Sequence, residues 1–561
     1  MSAGVNPSHD FDAVVIGSGP GGSAAALALI EAGWSVLLVE KGRNHLIDAD
    51  DPSRLLGDYS NDEIKFVSRH FLGPDPFLEP RTFRTSEAEG DRAYVGEVNS
   101  IPTTVGGGGV HADGKTPRFL EEDFRLLSER GPIDGATLAD WPFGYEEMEP
   151  YYAEAERLIG VAGEAGSNPF AAPRSGPFPM PPGAPMYVAT LTTAAAERIG
   201  LHPYPAPTAA NSVPYDGRPA CNNCGFCAFF GCPIHAKGDP VAMLQRALAS
   251  GRCRLEAETF ASRILVRNGR ATGVELIGPE GVARTESARA VVVAAGAFET
   301  PRLLLLSGFQ SDWIGRNVMF HFQTFVVGAT PRPIHGHRGR AVTHLHDDHL
   351  IADPASQRAA KEAGLPWIRG GMVEHGAAGH PILEAKIHSW GPGHKDAMRD
   401  SSMRARMVAL TMQGEDLPQA GNRVDLDPLI RDVRGVPVAR TTYQPHRHEL
   451  AASAHYSKQL VELLEVTGVD WTMVATSPWP GMPYSGGAIS PIPASRHVMG
   501  TVRMADGPSG GSCDQWGRMF EAPNVLIADS SPFPTGSGYG PTLTLVALAL
   551  RNARALASAG A

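Results

Sequence analysis

Hydrophobic positions along this chain fall in short unbroken runs rather than long amphipathic stripes. Residues 11–16 (FDAVVI) form the first, a run of strand length. Gly17, Gly19 and Gly22 follow, then an alanine- and leucine-rich stretch to about Ala32, then Gly33, then a second run, WSVLLVE, ending at Glu40. The pattern predicts one strand–helix–strand unit of βαβ length. A further strand over 290–295 leads into a helix through FETPRLLLLSG, and NVLIAD, ending at Asp529, passes through a Ser/Pro/Gly-rich turn into an apolar helix from about Thr542 to Leu556. Strands alternating with helices at both ends of a chain predict an α/β fold whose parallel sheet is assembled from distant segments.

Between these ends the texture changes. Residues 163–186 are rich in Gly, Pro and Ala without periodicity, which predicts a long connection, a lid or part of a domain junction. Residues 321–485 carry strand-like runs such as MVALTM, many His and few helical patterns, which predicts a second domain built on a mostly antiparallel sheet that faces a substrate. The expected division is a discontinuous first domain over 1–320 and 486–561, with 163–235 as a lid or Cys-rich insertion, and a substrate domain over 321–485.

At 561 residues, two or more domains are expected. Hydrophobic residues make up 42% and charged residues 19%, as in ordinary globular proteins. The net charge of -11 argues against nucleic acid or an anionic membrane surface as the main partner. No run approaches the roughly 20 apolar residues of a membrane span. The N-terminal MSAGVNPSHDFD lacks the basic and apolar regions of a secretory signal. The expected location is therefore the cytoplasm, with export alongside a signal-bearing partner subunit as the other reading.

The glycines carry the first chemistry. G-x-G-x-x-G directly after a strand and opening a helix, with an acidic residue 18 positions beyond the last glycine, is a dinucleotide-binding arrangement. Gly17 permits the tight turn, Gly19 lets backbone approach a pyrophosphate, and Gly22 lets helix pack on strand. The helix N-terminus offers N–H groups to phosphates, and Glu40 can accept from a ribose diol. Nothing in this unit separates FAD from NAD.

Four of the six cysteines, Cys221, Cys224, Cys227 and Cys232, lie within twelve residues, spaced C-x2-C-x2-C-x4-C. That density points to thiolate ligation of iron–sulfur or zinc, with a disulfide as an alternative in an oxidising compartment. Cys253 and Cys513 stand alone and read as small buried residues.

Segments in order along the chain resemble the glucose–methanol–choline oxidoreductase family: GSGPGG at 17–22, VGGGGVHADG at 105–114, WPFGYEEMEPYYAEAERLIG at 141–160, AAGAFETPRLLLLSG at 294–308, IGRNVMFH at 314–321, HVMGTVRM at 497–504, and Asp529 with the SSPFPTGSGYGPTLTL that follows it at 530–545. The resemblance implies an FAD-dependent enzyme that oxidises CH–OH groups of sugars, polyols, glycosides or other alcohols. It implies a Rossmann-type FAD domain in which Gly106, Gly107, Gly108 and Gly109 pass close to the flavin or pyrophosphate. Asp529 would lie near the phosphates and ribityl chain, Phe260 and Ala261 at the adenine, and the turn 540–543, with Pro541 and Thr542, at the pyrimidine end of the flavin.

The same resemblance implies that His497 is the base, since a neutral imidazole can take the proton left when hydride departs an alcohol carbon. His321 is expected to make a structural hydrogen bond. One position departs from the pattern. Relatives carry Asn or His where this chain has Gly540, in YGPT. Tyr539 is the candidate to supply a hydroxyl there, with water as the alternative. This departure motivates a lyase or decarboxylase reading on the same fold. The Cys segment resembles that of gluconate, fructose and sorbitol dehydrogenases, which implies a [3Fe-4S] cluster passing electrons to an acceptor protein or small subunit. It also resembles that of cholesterol oxidases, which carry packed free thiols and act on a bulky hydrophobic alcohol.

Overall fold

A computed structural model describes residues 9–56, 79–90, 94–96, 98, 101–225, 227, 231–377, 390–399, 401, 403–476, 483–484, 488–489 and 495–560. The expected domain boundary at 485–486 lies outside them.

The first layer is an eight-stranded sheet. Its path runs Arg518–Met519, Ala522–Ile527, Ala283–Val293, Phe11–Ile16, Val36–Val39, Cys253–Glu256, with Arg270–Ile277 antiparallel to Ala283–Val293 and Phe260–Arg267 antiparallel to Arg270–Ile277. The four inner pairings are parallel. Their cause is visible in the residues. AVVI, VLLV and the AVVV at 290–293 are buried along their length. A strand apolar on both faces must be covered on both, which is the condition of a parallel sheet. Helices Pro20–Glu31 and Thr542–Ser558 provide cover on one side through small and branched residues such as Ala24, Ala28, Leu543 and Ala547.

The second layer is a six-stranded sheet in the order Trp471–Thr476, Phe322–Ala329, Met407–Gly414, Val373–Ala377, Val342–His346, Tyr204–Pro205. Every pairing in it is antiparallel. Its back carries an apolar cluster, with Val326, Leu410 and Met412 against Leu460, Leu463 and Leu464 of helix Arg447–Thr467. Its edge strand Tyr204–Pro205 comes from outside 321–485. Helix Tyr187–Arg198, within 163–235, joins the same cluster through Val188, Ala195 and Ala196. A four-stranded sheet joins Arg423–Arg431 and Pro437–Thr442 to Arg81–Arg84 and Tyr94–Gly96. Pairing backbone edges recruits these early segments, because an unpaired buried edge is costly. No described helix is long and apolar enough to cross a membrane.

Candidate active site

Two glycine loops meet at the carboxyl end of the parallel strands. Gly22 sits so close to the first turn that a Cβ there would lie 1.9 Å from the Gly17 carbonyl oxygen. Gly19 and Gly107 abut across the loops, and the space beyond Gly108 is open for 4 Å. Ser18 ties this region together. Its N–H and Oγ–H donate to one Glu40 oxygen at 3.1 and 2.8 Å, while its Oγ accepts from the Gly106 N–H at 3.0 Å. The other Glu40 oxygen accepts from Gly42 N–H at 2.9 Å. Glu40 therefore fixes both loops as well as standing at the strand end.

One cleft gathers most of the cofactor residues expected from sequence. Gly17, Gly19, Glu40, Gly107, Gly108, Ala261 and Asp529 all line it. Asp529 is held by Gly296 N–H at 2.8 Å, Thr300 Oγ1–H at 2.6 Å and Ser531 N–H at 2.8 Å; burial nonetheless raises its pKa. Gly106 stands behind the cleft on Ser18. Gly109 and Thr542 line a smaller neighbouring cavity, and Pro541 caps the last helix. An open cradle over two glycine loops and a helix N-terminus fits an extended dinucleotide.

Sequence reasoning missed the charged wall of this cleft. Burial pushes the Glu299 carboxyl up, but Lys41, Arg302 and Arg81 together hold it well below the usual carboxylate range. Arg81 reaches it at 3.2 Å and Arg302 at 3.0 Å. Among the described residues, Arg81 Nη1 is buried and has no hydrogen-bond partner. These residues come from segments hundreds of positions apart, and no local motif announces them.

The base candidate is fixed by a second histidine. His321 Nε2 lies 2.6 Å from the Ser537 carbonyl oxygen, and His321 Nδ1 lies 2.8 Å from His497 Nδ1. A carbonyl only accepts, so His321 Nε2 carries the proton and donates. Burial first, then the charge of Lys115, holds His321 down to about 4, so its Nδ1 is a lone pair. His497 must then donate from Nδ1, which leaves its Nε2 bare. Burial, His321, Lys115 and Arg496 hold the His497 pKa well below the usual imidazole range. Nε2 faces Gly540: a Cβ on that glycine would lie 3.7 Å from it. The hydrogen bond expected of His321 is thus made to His497 itself.

Tyr539 is placed differently from the expectation. Its hydroxyl donates to Asp347 Oδ2 at 2.5 Å, beside donations from Tyr204 at 2.7 Å and Asn168 at 2.6 Å. Burial outweighs these three bonds and pushes Asp347 up to about 6. A phenol whose proton is committed to a buried carboxylate is not available to donate to a substrate at Gly540.

No disulfide joins Cys221, Cys224, Cys227 or Cys232. Burial raises the Cys227 thiol to about 11. Among the described residues, no three His, Cys, Asp or Glu side chains converge as metal ligands. Cys513 is buried as expected, and Cys253 is partly buried with its thiol raised to about 12.

Comparison with known proteins agrees with this geometry. Residues 12–48 match an FAD binding domain model, and residues 186–323 and 418–549 match two GMC oxidoreductase models. The chain is 28% identical over 569 residues to 2-methyl-1,2-propanediol dehydrogenase of Mycolicibacterium austroafricanum, covering 96% of this chain and 94% of that one. It is 26% identical to the gluconate 2-dehydrogenase flavoprotein of Pantoea cypripedii, covering 98% and 94%. Among solved structures, pyridoxine 4-oxidase from Mesorbium loti shares the fold with a TM-score of 0.60, at 18% identity, covering 97% of this chain and 98% of that one. With both family segments, an FAD-type glycine unit and relatives matched over nearly their whole length, the chain belongs to the glucose–methanol–choline oxidoreductase family of FAD-dependent enzymes.

Proposed function

We propose that this enzyme oxidises a CH–OH group of a small alcohol, polyol or sugar to the carbonyl by hydride transfer, with His497 Nε2 taking the hydroxyl proton. The observation that carries the reading is the hydrogen-bond chain from the Ser537 carbonyl through His321 to His497. It leaves one bare imidazole nitrogen facing Gly540, which carries no side chain. A base must be unprotonated at working pH and within reach of the proton it takes. His497 satisfies the first condition through burial and nearby positive charge.

When bound, FAD supplies the two-electron acceptor for the hydride that leaves carbon. The chain's own residues do the rest. The glycine loops, Asp529 and Glu40, which line the cleft, would hold the cofactor. His321 orients the imidazole and fixes its tautomer, as orienting groups do in other acid–base sites. His497 Nε2 accepts the proton, so one hydride and one proton leave the alcohol and a carbonyl compound forms. Anaerobic addition of alcohols, followed as loss of the flavin absorbance, tests the reading; a broad alcohol and sugar panel that leaves the flavin oxidised overturns it.

A further inference from the structure

Gly540 leaves the space beside the base unfilled. A Cβ there would meet only His497 Cε1 at 3.5 Å and Nε2 at 3.7 Å. Whatever holds the substrate next to His497 must therefore come from another element. The front of the six-stranded sheet offers one.

Gln323 and Gln413 face each other in register on adjacent strands. The Gln323 amide donates to Gln413 Oε1 at 2.9 Å, and the Gln413 amide donates to Glu374 Oε1 at 2.8 Å. Lys115 pairs with the same Glu374 oxygen and with Asp113 at 3.0 Å. His321 stands two residues before Gln323, at the entrance to the strand Phe322–Ala329. The backbone joins this wall to the Gly540 segment. Gln413 N–H donates to Met372 O at 2.9 Å, and Met372 N–H donates to Gly538 O at 3.1 Å. Lys115 is near enough to both histidines for its charge to depress their pKa values.

Two groups in this wall keep unused capacity. Both donors to Glu374 fall on Oε1, and no described donor reaches Oε2. Lys115 Nζ has three N–H groups and two carboxylate partners. A buried ion pair contributes little net stability, so stability alone does not account for this one. An acceptor and a donor side by side complement a hydroxyl, which both donates and accepts.

We propose that Glu374 and Lys115, supported by Gln413, hold a second hydroxyl of the substrate beside the one that His497 deprotonates, and so select vicinal diols and polyols over simple alcohols. This rests on the oxidation proposed above. A polar wall of two carboxamides, a carboxylate and an ammonium also disfavours a bulky hydrophobic alcohol, because its polar groups would be buried unpaired.

The test is anaerobic stopped-flow reduction of the FAD holoenzyme by 1,2-propanediol and by 1-propanol. The wild-type enzyme is expected to half-saturate with the diol at a concentration at least about tenfold lower. In Glu374→Gln that preference should shrink about tenfold or more. A merely structural Glu374 would weaken or slow reduction by both alcohols alike and leave their ratio unchanged. If Glu374→Gln fails to retain FAD, Gln413→Met tests the same chain without stranding a charge, and should also lower the preference. An unchanged preference in the variant that retains FAD overturns this inference while leaving the oxidation intact. A wild-type flavin that neither alcohol nor any other CH–OH donor reduces overturns both.

Discussion

The Nδ1 atoms of His321 and His497 lie 2.8 Å apart, and this contact decides which nitrogen of His497 is free to react. Two neutral imidazoles can share one such contact only if one donates and the other accepts. The Ser537 carbonyl, 2.6 Å from the far side of His321, sets the direction.

His321→Phe should therefore keep the fold and the bound flavin but slow its reduction. The loss expected for an orienting group is about 10–100-fold. Single-turnover reduction under anaerobic conditions measures it. A rate within twofold of wild type would show that His497 finds its tautomer without His321.

The depressed pKa of His497 gives a pH dependence of definite sign. The base works only when unprotonated, so activity is lost as pH falls through its pKa. A free imidazole titrates near about 6.5, and burial with neighbouring positive charge places His497 well below that. The reduction rate should stay flat from alkaline pH down through 6.5 and fall only below it. An acid limb centred at or above 6.5 would contradict the assignment.

Gly22 tests the cofactor cradle. A methyl group at this position would lie 1.9 Å from the Gly17 carbonyl oxygen, backbone against backbone. Overpacking of this kind costs about 1–3 kcal/mol, which here would open the turn that faces the phosphates. Gly22→Ala should purify with less FAD, and the reconstituted apoprotein should bind FAD about tenfold or more weakly. Equal FAD occupancy and affinity would remove Gly22 from the packing role.

Tyr539 separates a structural from a catalytic phenol. Its hydroxyl is committed to Asp347. Tyr539→Phe should cost about 1–3 kcal/mol of stability by depriving a buried carboxylate of a donor, seen as a lower melting temperature. Flavin reduction should slow by less than tenfold. A larger loss at unchanged melting temperature would return the phenol to the substrate.

How far the sequence reached follows from the range of each interaction. The βαβ unit was legible because its signals are local: Gly17, Gly19 and Gly22 read against flanking apolar runs, and those runs are buried strands. The antiparallel second sheet was legible from the change in texture after residue 320. The charged wall of Arg81 and Glu299 was not, because 218 positions separate its members. Nor was the commitment of Tyr539 to Asp347, 192 positions away. Lys115 lies only a few residues beyond the Gly106–Gly109 run, yet nothing near it in sequence indicates Glu374. The cysteine spacing is a local pattern with ligand density, yet among the described residues no three ligand-type side chains come together.

The central claim is that His497 takes the proton when a CH–OH donor reduces the flavin. The most direct measurement is anaerobic flavin reduction by the best alcohol of a broad panel, compared between wild type and His497→Ala at matched FAD content. Removing a general base should slow reduction by about 10²–10⁴-fold, with the flavin spectrum of the oxidised enzyme retained. A loss of tenfold or less would contradict the account.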